Sequence, residues 1–280
     1  MTKHYSFEFF PPKTDIGAEK LHDVCRRLAV LKPGFFSVTY GAGGSTRERS
    51  LGTVLDIQKN SGCAAAPHLS CIGDSREELG ELLDIYRQNG IRNIVALRGD
   101  LPSGMGASAG ELAYAADLVH FIRDTTGDHF HIEVAAYPEC HPQAPNMAAD
   151  LEHFLHKVRQ GANSAITQYF FNADAYFNFV GKVRAAGETI PVIPGIMPIT
   201  NFANLVRFSD ACGAEIPRWI RKQVASYADD QASIHKFGEE VVTRLCQQLL
   251  AGGAPGLHFY TMNQAEPTLA LWKNLGLPGA

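Results

Sequence analysis

The 280-residue sequence has six cysteines and no C-x-x-C pair among them, so neither a disulfide framework nor a dithiol redox motif is indicated. Reduced thiols and a cytoplasmic protein are the plain expectation. Lys and Arg nowhere run densely enough to track a phosphate backbone, and the formal net charge is −4, so no nucleic-acid partner is expected. Long apolar runs are also missing. The uncharged stretch Thr189–Val206 holds Pro191, Pro194 and Pro198, which suits a buried strand and loop better than a membrane span. The opening MTKHYSFEFFPPK is too short and too quickly acidic for a signal peptide. No G-x-G-x-x-G follows a strand-like run, which argues against a Rossmann sheet. His68 with Cys71, and Cys140 with His141, are zinc-ligand types without the spacing of a zinc site, so no metal is expected.

What the chain does contain is alternation. Eight short apolar runs rich in Val, Ile, Phe, Tyr or Ala alternate with helical patterns. The runs are Tyr5–Phe10, Phe35–Tyr40, Ala65–Ser70, Asn93–Leu97, His131–Ala136, Ala165–Phe170, Val192–Ile196 and Leu257–Thr261. Helices are predicted over roughly 17–32, 46–60, 75–89, 110–125, 148–161, 174–186, 201–211, 218–227, 231–251 and 265–275. Gly90, Gly161 and Gly187 follow helical runs as C-caps should. Ser45 with Glu48 reads as a capping box, Asp74 or Ser75 as a cap of the third helix, and Asp174 as a cap of the sixth. No interior linker is rich in Pro, Ser or charge. The expected fold is therefore α/β, a single (β/α)8 TIM-type barrel domain over residues 1–280, with extra helices near the C-terminus.

In such a barrel the strand ends gather around one mouth, where chemistry is done. The first run carries Glu8 among Phe7, Phe9 and Phe10; burial should raise its pKa and make it a general acid near neutral pH. The fourth run ends in Arg98-Gly99-Asp100: a cation for phosphate, a glycine for close backbone approach, and an acid to face a cofactor ring. Small residues at Ala135 and Ala136 leave room for a flat ring beside Tyr137. Gln168 is an amide in an otherwise hydrophobic run, suited to recognising a heterocycle. No Lys stands at a strand end as a Schiff-base residue should, and no convincing nucleophile is present. These features suit a bound organic cofactor oriented by the protein. A barrel lyase or aldolase, or a binding protein without turnover, are the alternatives. The first should show a metal cage or a Schiff-base lysine, and the second would not need both Glu8 and Asp100.

The strings SFEFFPPK, FFSVTYGAGGS, PHLSC, NIVALRGDLP, VAAYPECHP, ITQYFFN, PVIPGIMPITNF and LHFYTMN together closely resemble the bacterial methylenetetrahydrofolate reductases over nearly the whole chain. The resemblance implies noncovalent FAD, NADH (or NADPH) as hydride donor, and reduction of 5,10-methylenetetrahydrofolate to 5-methyltetrahydrofolate for methionine synthesis, with nicotinamide and folate taking turns at one flavin face. It implies Glu8 as the acid for the folate nitrogen N10, Asp100 near both flavin and folate, and Phe208 stacking on either partner. It assigns flavin contacts to Thr39, His68, Leu97, Arg98, Gly99, Asp100, Tyr114, Ala115, Ala135, Tyr137, His141, Asp150 and Lys157. Folate contacts fall on Glu8, Asp100, Gln168, Asn204, Phe208, Tyr260 and Gln264. Two of these depart from the family pattern: Gln264 stands where an Arg is usual, and Asn204 where Gln is frequent. The resemblance further implies a homo-oligomer, and it makes the alternative without turnover a folate- or flavin-binding protein.

Overall fold

In the computed structural model, residues 3–40, 44–99, 111–228 and 230–279 are described. The strands are β1 (His4–Phe9), β2 (Phe35–Val38), β3 (Ala65–Ser70), β4 (Asn93–Leu97), β5 (His131–Ala136), β6 (Ser164–Thr167), β7 (Val192–Ile193), β8 (Gly195–Ile196) and β9 (Gly256–Tyr260). Every pairing is parallel, in the order β7-β6-β5-β4-β3-β2-β1-β9-β8. The expected seventh strand is thus two short pieces either side of Pro194. Proline has no N–H to give a ladder. The first piece pairs with β6 and the second with β9, so together they bring the two edges of the sheet round to each other. The Pro194 carbonyl is still used, accepting from the His258 N–H at 3.0 Å.

Helices follow the strands: α1 (Asp15–Ala29), α2 (Gly44–Asn60), α3 (Arg76–Gln88), α4 (Ala115–Thr126), α5 (Met147–Arg159), α6 (Ala173–Ala185), α7 (Phe202–Cys212), α8 (Arg218–Ser226), α9 (Gln231–Ala251) and α10 (Glu266–Asn274). Helix α8 and helix α9 are the expected extra material before the last strand. Ser75 caps α3 in a capping box with Glu78, satisfying orphan N–H groups at both ends of the exchange. The sixth helix is capped by Asn172 rather than Asp174: the Asn172 side chain accepts from the Asp174 N–H at 3.0 Å, and Asp174 lies in the first turn. Helix α2 already includes Gly44, ahead of the expected Ser45 cap. The glycines after α3, α5 and α6 all have positive φ, as the pattern required.

Strand periodicity sorts the side chains into two sets. Phe7, Phe9, Phe36, Val38, Leu69, Ile94, Ile132 and Val134 join the main apolar cluster with helix residues such as Leu28, Leu83, Val119 and Ile122. Each fully buried Phe or Leu there contributes roughly 1.5–3 kcal/mol of transfer free energy. The alternate positions face the inside of the barrel. There Ala66, Val95 and Ile166 form a small separate cluster with Phe35 and Leu97. Barrel interiors are dominated by branched apolar residues. This one also buries Ser6, Glu8, Ser37, His68, Glu133, Ser164 and His258. Buried polar groups cost free energy unless they are satisfied or used, so this interior directs attention to the mouth above it.

Candidate active site

Glu8 sits near the end of β1, 8% exposed. Its Oε2 lies 3.2 Å from Nε2 of His68 on β3 and 3.4 Å from Nε2 of His258 on β9. The His68 N–H is poorly aligned with that oxygen, and the larger part of its effect on the carboxylate is electrostatic. Behind His258, Nδ1 and the Ser6 hydroxyl are 2.7 Å apart. Thr261 donates through Oγ1 to the Glu8 carbonyl at 2.6 Å, holding the strand end. Burial alone pushes the Glu8 carboxyl up, as the sequence suggested. The two imidazoles outweigh burial and hold it down at about 2. The expectation of a raised pKa is therefore corrected: the neighbours that reverse it come from strands 60 and 250 residues away.

A cavity of about 350 Å³ opens at this carboxylate. Gln168, Phe208 and Tyr260 line it with Glu8, joined by Tyr169, Met197 and Met262. Gln168 stands just past the end of β6 rather than inside a strand, which turns its amide toward the mouth. Phe208 comes from α7, with the Arg207 guanidinium 5.2 Å from its ring centre. Tyr260 donates to the Thr167 carbonyl at 2.8 Å, and its ring packs against Gly195. Burial, then the nearby Glu8 charge, raises the Tyr260 pKa well above the ordinary phenol value. It is a fixed hydrogen-bonding group, not an acid for turnover.

Gly195 is required by that packing. A Cβ there would stand 2.7 Å from Tyr260 Cε2 and would also meet the Thr167 carbonyl. Gly195→Ala should destabilise the protein by about 1–3 kcal/mol through overpacking and push the Tyr260 ring into the cavity. A urea midpoint equal to that of the unaltered protein would show that the ring has room to yield.

A second cavity, of about 620 Å³, adjoins the first; Arg98, Tyr137, His141 and Gln143 line both. Leu97, Gly99, Tyr114, Ala115, Ala135, Asp150 and Lys157 complete the part of its wall that sequence reasoning assigned to a cofactor. The N–H groups of Ala113 and Tyr114 donate to Asp117 Oδ2 at 3.1 and 2.9 Å, setting the start of α4 at the rim. Asp150 accepts from the His141 N–H at 3.0 Å and fixes the loop after β5. Lys157 reaches in from α5 and donates to the Ala135 carbonyl. Burial lowers its pKa to about 8, with Asp150 opposing. Alanines at 96, 115, 116, 135 and 144 keep the walls thin, while Arg98 and Lys157 supply donors and positive charge and His153 and His156 add ring nitrogens.

Not every predicted residue joins these walls. His68 contacts Glu8 instead. Thr39 lies at the end of β2, its carbonyl accepting from Ser50 at 3.3 Å. Asn204 and Gln264 are exposed and line neither cavity. Asp100 lies outside the described residues. Sequence reasoning missed Ser6 and His258, although the signal was present: both alternate with Glu8 and Tyr260 on strands that pair, Ser6 opposite His258 and Glu8 opposite Tyr260. It also passed over the grip of Asn263, whose side-chain amide accepts from the Phe10 N–H at 2.8 Å and donates to the Phe10 carbonyl at 2.9 Å, tying β1 to the loop after β9.

Residues 1–276 match the family model described as methylenetetrahydrofolate reductase. The chain is 42% identical over 272 residues to the 5,10-methylenetetrahydrofolate reductase of Pectobacterium carotovorum subsp. carotovorum, covering 97% of this chain and 90% of that protein. It is 42% identical over 275 residues to that of Salmonella typhimurium, covering 98% and 91%. Among solved structures, an uncharacterized protein from Clostridium thermocellum, described as binding two copies of 5-methyl-5,6,7,8-tetrahydrofolic acid, superposes with a TM-score of 0.67 at 16% identity, over 98% of this chain and 94% of that one. That likeness is one of fold.

Proposed function

The chain belongs to the methylenetetrahydrofolate reductase family, and from that premise we propose how its two cavities divide the reaction. The enzyme is an oxidoreductase that reduces methylenetetrahydrofolate. The smaller cavity, with Glu8 on its wall, takes the folate pterin and, in a separate visit, the nicotinamide of NADH or NADPH. The larger takes FAD without a covalent link. The observation that carries this reading is the shared wall: Arg98, Tyr137, His141 and Gln143 border both spaces, so a planar ring between them would meet a ligand beside Glu8. The donor set fits a dinucleotide, with Arg98 and Lys157 for the diphosphate and alanines beside the ring.

Bound FAD would supply the means to accept a hydride from one partner and return it to the other. The remaining tasks fall to the chain. Gln168 offers an amide to the pterin, Phe208 an aromatic face, and Tyr260 a rigid wall. Glu8 delivers one proton to folate N10. The C–N10 bond then breaks with its electron pair going to nitrogen, leaving a substrate iminium carbon ready for reduction. Asp100 and Thr39 belong to this proposal by family likeness, and Asn204 and Gln264 by position, each in place of the residue usual in the family. The lyase reading receives no support from the relatives.

The direct test is a visible spectrum of the purified protein, with anaerobic addition of NADH and then methylenetetrahydrofolate. Flavin bands should bleach with the first and return with the second. A protein that stays colourless after FAD is added would end the proposal.

Lys157 gives a separate expectation. Below about pH 8 it is cationic and attracts a diphosphate; above, it is neutral and does not. FAD affinity should therefore weaken as pH rises past 8, by up to about tenfold per unit, and Lys157→Met should flatten the dependence. Flavin fluorescence quenching reads the affinity. A flat profile between pH 7 and 9 in the unaltered protein would remove Lys157 from the diphosphate site.

A further inference from the structure

Ring opening consumes one proton per turnover, and a carboxylate that has just given its proton must recover it. We propose that His258, oriented by Ser6, is the positioning residue that stores this proton behind Glu8 and passes it to the Glu8 carboxylate for delivery to the folate. The inference rests on the folate-reducing role of Glu8 proposed above and adds to it a source for the proton.

The geometry leaves His258 little else to do. It has no exposed surface, and Ser6 is 5% exposed. Neither lines either of the two cavities, so neither meets a ligand placed there. One ring nitrogen faces Ser6 Oγ at 2.7 Å and the other faces Glu8 Oε2 at 3.4 Å. A hydroxyl can donate or accept. When the imidazole is protonated on both nitrogens, Ser6 accepts from Nδ1–H and Nε2–H points at Glu8. When it is neutral with its proton on Nδ1, Ser6 still accepts, and the bare Nε2 faces Glu8. Nδ1 therefore keeps its partner in both states. Discharge is balanced: the Nε2 proton moves to Glu8 Oε2 and from there to N10, the C–N10 bond breaks, His258 keeps its Nδ1 proton, and after the product leaves solvent returns one proton through Glu8 on the cavity wall.

Among the described residues, the titratable groups facing His258 are few. Glu8 comes from β1, and His68 comes from β3 across that carboxylate. Tyr260, on its own strand, has its ring 5.2 Å away. Phe35 from β2 adds no charge. His68 approaches the same Glu8 oxygen, but its N–H is misaligned, so the directed contact belongs to His258.

Two variants and two readouts test this. Single-turnover reoxidation of the reduced holoenzyme by methylenetetrahydrofolate, measured against pH, reports the proton couple. Flavin reduction by NADH reports the rest of the site. Ser6→Ala removes one oxygen and should shift the alkaline limb of reoxidation to lower pH, because Nδ1–H loses its acceptor. His258→Gln should lower the ratio of reoxidation to flavin-reduction rates by at least about tenfold. Independently of turnover, ¹⁵N NMR of histidine-labelled protein should show an Nε2–H signal from His258 that weakens in Glu8→Gln, where the carboxylate it faces is gone. An unmoved alkaline limb in Ser6→Ala, or a His258 Nε2–H signal indifferent to Glu8, would overturn the proposal. An unaltered enzyme that never reoxidises with folate would instead overturn the proposed function, and the NMR signal would still read the couple.

Discussion

Glu8→Gln should reduce folate turnover by about 10²–10⁴-fold, the usual worth of a positioned general acid, and the loss should fall on one half of the cycle. Gln has the volume of Glu and can remain between His68 and His258, so the barrel should keep its shape. What disappears is the ability to give a proton to N10. Reduction of the flavin by NADH needs no such proton. Stopped-flow measurement of the two halves should therefore show the folate half losing at least about a hundredfold more than the NADH half. Equal losses would mean that Glu8 shapes the site rather than acting in it. The same residue links acidity to stability. Its folded pKa of about 2 lies below the ordinary 4.5, so its contribution is full above pH 4.5 and fades as pH falls toward 2. Glu8→Gln should lose that slope.

Gly99→Ala should release the flavin. Gly99 has φ +89°, a backbone conformation that costs L-residues. A Cβ there would also run into the Ser70 hydroxyl. That hydroxyl donates to the Arg98 carbonyl at 2.8 Å, so the two strand ends are already drawn together where the methyl would go. Relief requires moving the end of β4, and with it Arg98, the cation shared by both cavities. FAD affinity should fall by at least about tenfold, corresponding to about 1.4 kcal/mol of lost binding. Adding Ser70→Gly should restore part of it by removing the collision while leaving the φ penalty. Equilibrium dialysis against FAD measures both. Affinity unchanged in Gly99→Ala would show that the loop relaxes without disturbing the site.

The strands were legible because their side chains alternate and their ends carry turn residues; β3, β4 and β5 have the predicted bounds. The break at Pro194 was visible as a residue but not as a consequence, since a missing N–H matters only once the neighbouring strand is known. The third-helix cap was legible, whereas Asn172 in place of Asp174 turned on a two-residue difference in where the cap falls. At the site, Glu8, Gln168, Phe208 and Tyr260 were singled out from the sequence, and they line one cavity. The sign of the Glu8 pKa was not legible. A strand pattern shows that a carboxyl is buried, but not that two imidazoles wait beside it.

The pairing of β1 with β9 joins residues about 250 positions apart. Closing so long a loop carries an entropic cost that local contacts do not offset. A chain still emerging from synthesis holds Glu8 and Ser6 long before His258 exists. Until the last strand docks, the first strand has one open edge and its acid lacks one of its two imidazole partners. Catalytic competence in this barrel is thus a late event of folding, reached when the beginning and end of the chain come together.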